Sequence, residues 1–591
     1  MGNKQKWIKE IGLSLSTIKS DPVKLELFKS LLSAGYFPYQ LPPPFNTHLF
    51  YDFLTSNLED FFTEIKKELI SDKGIKTAKS SVYYLARPAQ LRRTLHIAPP
   101  LQYSLLCLEI AAQWDTLGTK ATGTGKAISI PVIAEKDSNT PDRAISFKNK
   151  WQDLPRKKLK ERSQARYAVQ ADIARFFPSI YTHSIPWAIE GKKLAKKNRA
   201  GHASVGNRLD SYTRAMQDGQ TLGIPIGPDT SHLISEIILA NIDTSIQTSH
   251  LGFVRVVDDY ELYCSTLSTA EKCLITLQEE LKKYELELNS LKTKIEKLPI
   301  FLEQDEINKL RAFNLEKDIN TKSLITYFDL AFNAYKNNNK SGSLKYALRR
   351  FEQNQESPIT LEGESLTCLI DFMCQCILIE PGTVEYVLRI ISQYGTEVIS
   401  SEKEKISACL EQLLEEHIKL KHSSEISWAL WGYIILHVNI PQKLAQEVAN
   451  SGDIISTILL LDAHKRKLIK RVTLKDIFQD FEEETLFGSR WLLAYESIYQ
   501  KWAPAAKRTI LSKSPAFNLM KEKGVNFYNA PQNEPDYIEL MATWKPVTGY
   551  GDEGEDDDLD DEDIFVDLSV DEEPEIDEDE LKRLTEKDPW D

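Results

Sequence analysis

Two acids side by side, Asp258 and Asp259, separate an apolar run, Phe253-Val-Arg-Val-Val257, from an alternating one built on Tyr260, Leu262 and Cys264. β-Branched and aromatic residues flanking such a pair predict a β-hairpin whose tight turn carries both carboxylates. Like charges held at a rigid edge repel each other, and a divalent cation bound by their oxygens relieves that repulsion. Upstream, Tyr167-Ala-Val-Gln-Ala reads as a short strand ending at Asp172 and running into Phe176, Phe177 and Pro178. Between the two acidic segments lies Gly223-Ile-Pro-Ile-Gly-Pro-Asp-Thr-Ser231, a loop opening an apolar helix through Leu233, Ile234, Ile237, Ile238 and Ile242. An Asp-Asp pair alone is an ordinary solvated turn. A third carboxylate at a strand end, with a glycine loop in between, gives it a chemical reading.

In this order the three segments resemble motifs A, B and C of reverse transcriptases, the layout of a polymerase palm. The stretches Asp172-Ile-Ala-Arg-Phe-Phe-Pro-Ser-Ile-Tyr-Thr-His183 and Gly223–Ser231, with Gly35-Tyr-Phe-Pro-Tyr-Gln-Leu-Pro-Pro-Pro-Phe45 near the start, are similar to the abortive-infection and unknown-group reverse transcriptases of bacteria, AbiK-like ones among them. The resemblance covers residues 25–300. It implies that Asp172, Asp258 and Asp259 hold two Mg²⁺ ions, with Mn²⁺ as a substitute, roughly 3.5–4 Å apart, which activate an attacking hydroxyl and stabilise the leaving pyrophosphate. It adds the Ile173 carbonyl as a ligand, and places Phe177 where a bulky side chain blocks a ribose 2′-hydroxyl, with Phe176 competing for that place. Arg92 or Arg93 then touches the triphosphate, as suits a guanidinium fork. Pro225 and Gly227 let backbone approach the nucleotide, and Lys292, in the motif-D-like segment Leu286–Ile295, stands near the pyrophosphate. Two departures stand out: Ile226 where the family has Gln, and Val256 where it has an aromatic.

The elements that must position these residues follow from pattern. Arg93, Leu95 and Ile97 alternate as a strand, and the run after Pro100 reads as a buried helix. Four prolines between Gly35 and Phe45 predict a stiff, extended strap over aromatics. Lys157, Lys158 and Lys160 stand in a cation-rich run before Asp172, and Lys192, Lys193, Lys196, Lys197, Arg199 and Arg208 form a second cluster after it. Both are expected to contact a nucleic-acid backbone.

The net charge of −14 is unevenly spread: Gly551–Asp591 holds 22 Asp and Glu against 3 Lys and Arg, while Met1–Tyr550 has 70 basic and 65 acidic side chains. A mildly basic body with an acidic tail suits a nucleic-acid protein. Scattered cysteines, seven in number, predict buried thiols rather than a zinc site. No run of eighteen apolar residues and no leader-like start occur, so no membrane span and a cytoplasmic location are expected.

The expected class is α+β: an N-terminal helical segment and strap (1–80), fingers and palm of a right-hand polymerase (81–300), an all-α solenoid or bundle able to close over the palm (301–545), and a disordered acidic tail (546–591) in which Ile564–Leu568 is a candidate docking peptide. The resemblance implies a DNA polymerase of antiphage defence that uses dNTPs, with a DNA product attached to the protein in the protein-primed, template-independent form. Tyr495, Tyr499, Tyr528 and Tyr537 are then candidate primers. Copying of a partner non-coding RNA and a non-catalytic nucleic-acid-binding role are the alternatives. A phage protein trigger and a homo-oligomer complete the expected partners.

Overall fold

The computed structural model describes residues 2–544 except 88–90, 135–142, 199, 248–249, 303–304, 316–318, 340–341, 354–358 and 360. The acidic tail with its docking peptide, and Arg199, lie outside the described residues.

Two pieces of β-structure frame the site. A hairpin pairs β1 (Ser81–Ala86) with β2 (Arg92–Ile97). Strands β3 (Tyr167–Ala171), β4 (Gly252–Val256), β5 (Asp259–Cys264) and β6 (Lys294–Lys297) make an antiparallel sheet in the order β6-β3-β5-β4. Side chains of a strand alternate between its faces. Val169, Phe253, Tyr260, Leu262 and Cys264 therefore enter the main core, whereas Ala168, Val254 and Tyr263 join a second, smaller apolar cluster on the opposite face.

Helices supply the rest. Of those near the site, α1 (Pro100–Ala112) is buried along its whole length, α2 (Leu154–Arg162) lies against β4 and β5, and α3 (Asp229–Ile246) and α4 (Leu267–Lys282) pack together under the sheet. The five aliphatic residues that marked α3 in the sequence are all 0–1% exposed. At roughly 1.5–3 kcal/mol for each buried aliphatic side chain, their burial makes α3 a fixed base for what sits on it.

From Asp305 to Thr543 the described residues are helical and contain no strand, as the periodicities foretold. Val384–Leu420 is one element, α5, kinked at Gly395, which takes φ 84°. Helix α6 (Ser423–Ile435) packs on α5 and on β1. Among the described residues, the helical region docks behind the β1–β2 hairpin, where the Ser81 hydroxyl donates to the Ser489 carbonyl at 2.6 Å, the Ala86 amide to the Ser424 hydroxyl at 2.9 Å, and Trp491 Nε1 to the Ile97 carbonyl at 3.3 Å.

The Gly35–Phe45 strap is not extended. It is a chain of tight turns, closed by Leu41 N–H to Pro38 O and Phe45 N–H to Pro42 O, because proline's fixed φ suits turns as well as extended chain. Three of its aromatics, Tyr36, Phe37 and Phe45, are buried as expected, with Phe37 stacked on Phe527 and Phe45 edge-on to Tyr528, while Tyr39 is half-buried. The strap thus joins the two ends of the described chain. One continuous core runs from Trp7 to Met541, so the expected boundary near residue 300 marks a change of secondary structure and no gap in packing.

Candidate active site

The turn between β4 and β5 consists of Val257 and Asp258, closed by the pair Val256 and Asp259. The sequence put both acids in the turn; the structure makes Asp259 the first residue of β5. Val257 takes φ 48°, a conformation that a β-branched side chain avoids unless its surroundings impose it. Here they do. The Val257 amide donates to Ser129 Oγ at 2.9 Å, and its carbonyl accepts from Arg255 Nη1 at 2.8 Å.

Arg255 is fully buried and organises the support beneath the hairpin. Its guanidinium reaches both carboxylate oxygens of Glu236 (3.0 and 2.9 Å) and those of Asp243 (2.8–3.0 Å), both on α3. Ser129 Oγ also donates to Glu236 at 2.6 Å, and the Tyr260 hydroxyl to Asp243 at 2.9 Å. The two acids hold the Arg255 guanidinium well above its ordinary pKa despite its burial. Sequence reasoning passed over this network. Its signals are an arginine inside an apolar strand and two acids seven residues apart, hence on one face, in an otherwise apolar helix.

Asp172 follows β3 directly and comes beside the hairpin across the β3–β5 pairing, its side chain in hydrogen-bond contact with that of Asp259. Asn289 holds it, with the amide donating to the Asp172 carbonyl at 2.8 Å and Nδ2 to Oδ2 at 3.1 Å. Lys292 Nζ stands 3.7 Å from the same Oδ2. Burial, then the charge of Asp172, pushes the Asp258 carboxyl up to about 7, with Arg93 and Lys292 pulling the other way. Asp259 is exposed at the cavity, yet the enclosing walls and then the charges of Asp258 and Asp172 hold it well above the carboxylate range. Three carboxyls lining one cavity, two of them raised by burial and by their neighbours' charge, are a donor set suited to divalent cations.

The acids line a cavity of about 670 Å³. Of the other residues picked out from sequence, Arg93, Phe177, Gly227, Lys158 and Lys292 share it. Gly227 needs to be glycine: at φ 126°, a Cβ there would stand 2.8 Å from Pro38 and 3.3 Å from the His96 carbonyl. The loop is clipped to β2 by two hydrogen bonds, one between backbones, His96 N–H to Ile226 O (2.7 Å), and one to a side chain, Ile226 N–H to His96 Nδ1 (3.2 Å).

The other expected residues lie elsewhere. Arg92 points away from the cavity, because neighbours on a strand face opposite ways; its Nη2 pairs with Glu425 of α6 at 2.7 Å and bonds His422. That guanidinium sits against His417, His422 and Glu425, the one group of three such side chains among the described residues whose ligand atoms lie within 4.8 Å of one another. Phe176 is core, 3% exposed, and of the two rings only Phe177 lines the cavity. Ile173 is buried with its backbone bridged to Leu288, and neither it nor Pro225 lines the cavity. Lys157 is half-buried against the Ala127 carbonyl, and Lys160 is exposed. Lys192, Lys193, Lys196 and Lys197 are exposed on a short helix away from the cavity, with Lys192 over the Trp187 ring. Arg208 is no surface contact: it is buried in ion pairs with Glu109 (2.8 Å) and Glu10 (3.1 Å). All seven cysteines are free thiols, six of them buried. No described helix is long and apolar enough to cross a membrane.

Residues 128–345 match the family described as reverse transcriptase (RNA-dependent DNA polymerase). No curated protein matches the chain. The matched span takes in the three aspartates, the Gly223–Ser231 loop and Lys292, begins after β2, and runs past the expected limit at residue 300 into the helical region. The chain therefore carries a reverse transcriptase domain, and the chemistry of such a domain is nucleotidyl transfer by a polymerase.

Proposed function

We propose that Asp172, Asp258 and Asp259 are the catalytic carboxylates of a DNA polymerase of the defence-associated, AbiK-like kind, transferring dNTPs to a hydroxyl. The observation that carries this is their convergence, at the ends of two paired strands, in one cavity that also receives Arg93 and Lys292. Polymerases of this domain use divalent metal ions, and the crowded carboxyls fit a pair of them. Bound there, the ions supply Lewis-acid stabilisation of the attacking and leaving oxygens. The chain does the rest. Asn289 fixes Asp172 in orientation, and the Arg255 network fixes the hairpin, so the carboxylates are preorganised and need not rearrange during the reaction. Arg93 faces Asp258 across the cavity and holds phosphate oxygens as a guanidinium can. Lys292, beside Asp172, meets the charge that develops on the departing pyrophosphate. Phe177 stands against the sugar. The test is incorporation of labelled dNTP by purified protein: Asp172→Asn and Asp258→Asn each reduce it by about a thousandfold or more while leaving the thermal unfolding cooperative. Wild-type rates in either variant would remove the assignment.

A specific observation favours a protein hydroxyl as the acceptor and changes which one. Tyr495 and Tyr528 are buried, donating to the Val525 carbonyl and to Asp462, and Tyr499 and Tyr537 are likewise held within the helical region. None of the four lines the cavity. Two tyrosines do: Tyr260, committed to Asp243, and Tyr39 of the strap, whose ring lies 5.6 Å from the Arg143 guanidinium. In the protein-primed reading Tyr39 supplies the first hydroxyl. Incubation with labelled dNTP alone, followed by denaturing electrophoresis, should leave label on the polypeptide, and Tyr39→Phe should remove it. Label that parts from protein in denaturant points instead to copying of an RNA, which sequencing of the copurified nucleic acid would identify.

A further inference from the structure

The sheet face that bears the carboxylates continues away from them through Gln170, Glu261, Val254 and Tyr263, since alternate residues of paired strands share a face. A primer end that is base-paired to a template brings its double helix with it, so a site that copies a template must leave this strip open over several base pairs. Here the chain's own segment from Trp151 through α2 covers it. Trp151 and Leu154, 9% and 4% exposed, pack with Phe147 and Ile128 onto Ala168, Val254 and Tyr263.

The cover is tied down along its length. Lys158 Nζ is 2.9 Å from Glu261 in the middle of the strip. At the far end α2 comes so near β4 that a Cβ on Gly252 would lie 3.0 Å from the Glu161 carbonyl. Arg162 Nη1 then donates to the Ile300 carbonyl at 3.1 Å. The helix reads Leu-Pro-Arg-Lys-Lys-Leu-Lys-Glu-Arg, five basic residues in nine. What stays open is the cavity of about 670 Å³, the size of a site for a small molecule and not a groove for a duplex.

We propose that the segment Trp151–Arg162 is a built-in occupant of the sheet face beside the catalytic carboxylates, excluding a base-paired template–primer and restricting the acceptor to a single-stranded end or a side-chain hydroxyl. This rests on the polymerase reading above for the identity of the acceptor, and on packing alone for the exclusion of duplex.

The test compares one oligonucleotide, single-stranded and annealed to a complementary template with a 5′ overhang, in binding and in extension. Measurements at high salt suppress non-specific phosphate contacts. With wild-type protein the annealed form is expected to bind at least about tenfold more weakly and not to be extended along its template. Trp151→Ala with Leu154→Ala, and separately Lys158→Ala, which spares the apolar packing, should each shift the ratio of duplex to single-strand binding toward duplex by about tenfold. Hydrogen exchange of residues 151–162 in the wild type should not rise when duplex is added. Tight duplex binding by the wild type, templated extension, or loosening of the segment on duplex addition would each overturn the proposal. If no nucleotide is incorporated under any condition, the polymerase reading fails, and the binding ratio still judges the exclusion.

Discussion

Arg255→Met would leave Glu236 and Asp243 facing each other in the core without their shared cation. Breaking a buried ionic cluster from one side costs on the order of 3–5 kcal/mol, so the variant should lose that much stability in denaturant unfolding. Residual folded protein should incorporate dNTP poorly, since the Val257 carbonyl loses its donor and the turn its restraint. Stability within 1 kcal/mol of wild type, roughly the value of an ordinary surface change, would show that the cluster is not what holds the hairpin. Phe177 and Phe176 make a second contrast at this scale. Phe177→Val should raise the incorporation of ribonucleotides relative to deoxyribonucleotides by about tenfold, because one lost contact is worth roughly a factor of that size. Phe176→Leu should lower the melting temperature and leave sugar choice alone. The sequence could not separate the two rings, which are adjacent. The sharp bend at Arg175, left-handed at φ 46°, sets which of them enters the core, and that bend has no glycine to announce it.

Among the elements, those with strong periodicity were legible: the hairpin at Asp258, the strand before Asp172, the helix after Gly227 and the helical run beyond residue 305. Elements defined by what they touch were not. The Lys157–Lys160 run reads as a cationic contact for a nucleic-acid backbone, and nothing local says that Trp151 and Leu154 dock it on the sheet. Prolines in the strap are compatible with turns and with extended chain, and only the aromatic contacts from Phe527 and Tyr528 choose. A buried carboxyl in the helix Trp491–Tyr499 is equally silent in the sequence. Glu496 is fully buried, accepts from the Phe527 amide at 2.6 Å, and is pushed by burial from about 4.5 up to about 8. Its protonated form is the one the fold prefers, so its contribution is complete at acid pH and is lost as pH rises from about 4.5 through about 8. Glu496→Gln should therefore match wild type at pH 5 and melt higher than wild type above pH 8. A difference that grows toward acid pH would refute the assignment.

Across the whole molecule, residues distant in sequence meet on the β1–β2 hairpin. The strap and helical region grip its back, the Gly227 loop is clipped to β2, and the cavity opens on its front. The Arg92–Glu425 pair spans that junction with His417 and His422 beside it, both pushed down to about 4 by burial and therefore neutral near pH 7. Glu425→Gln leaves Arg92 without its counter-ion in a mostly buried place. The expected result is a rise of several-fold in the KM for dNTP with a smaller change in kcat, since phosphate binding by Arg93 is disturbed and the carboxylates are not. An unchanged KM would uncouple the junction from the cavity.

Arg92 and Arg93 give β2 the character of a rocker with a charge on each side. Consecutive residues of a strand are only about 3.3 Å apart and look opposite ways, so a tilt of the strand moves the stems of both side chains. Anything that leans on the helical region through Glu425 has its lever arm already in place: the push arrives at the mouth of the catalytic cavity one peptide bond later, with no relay of side chains for it to fade in.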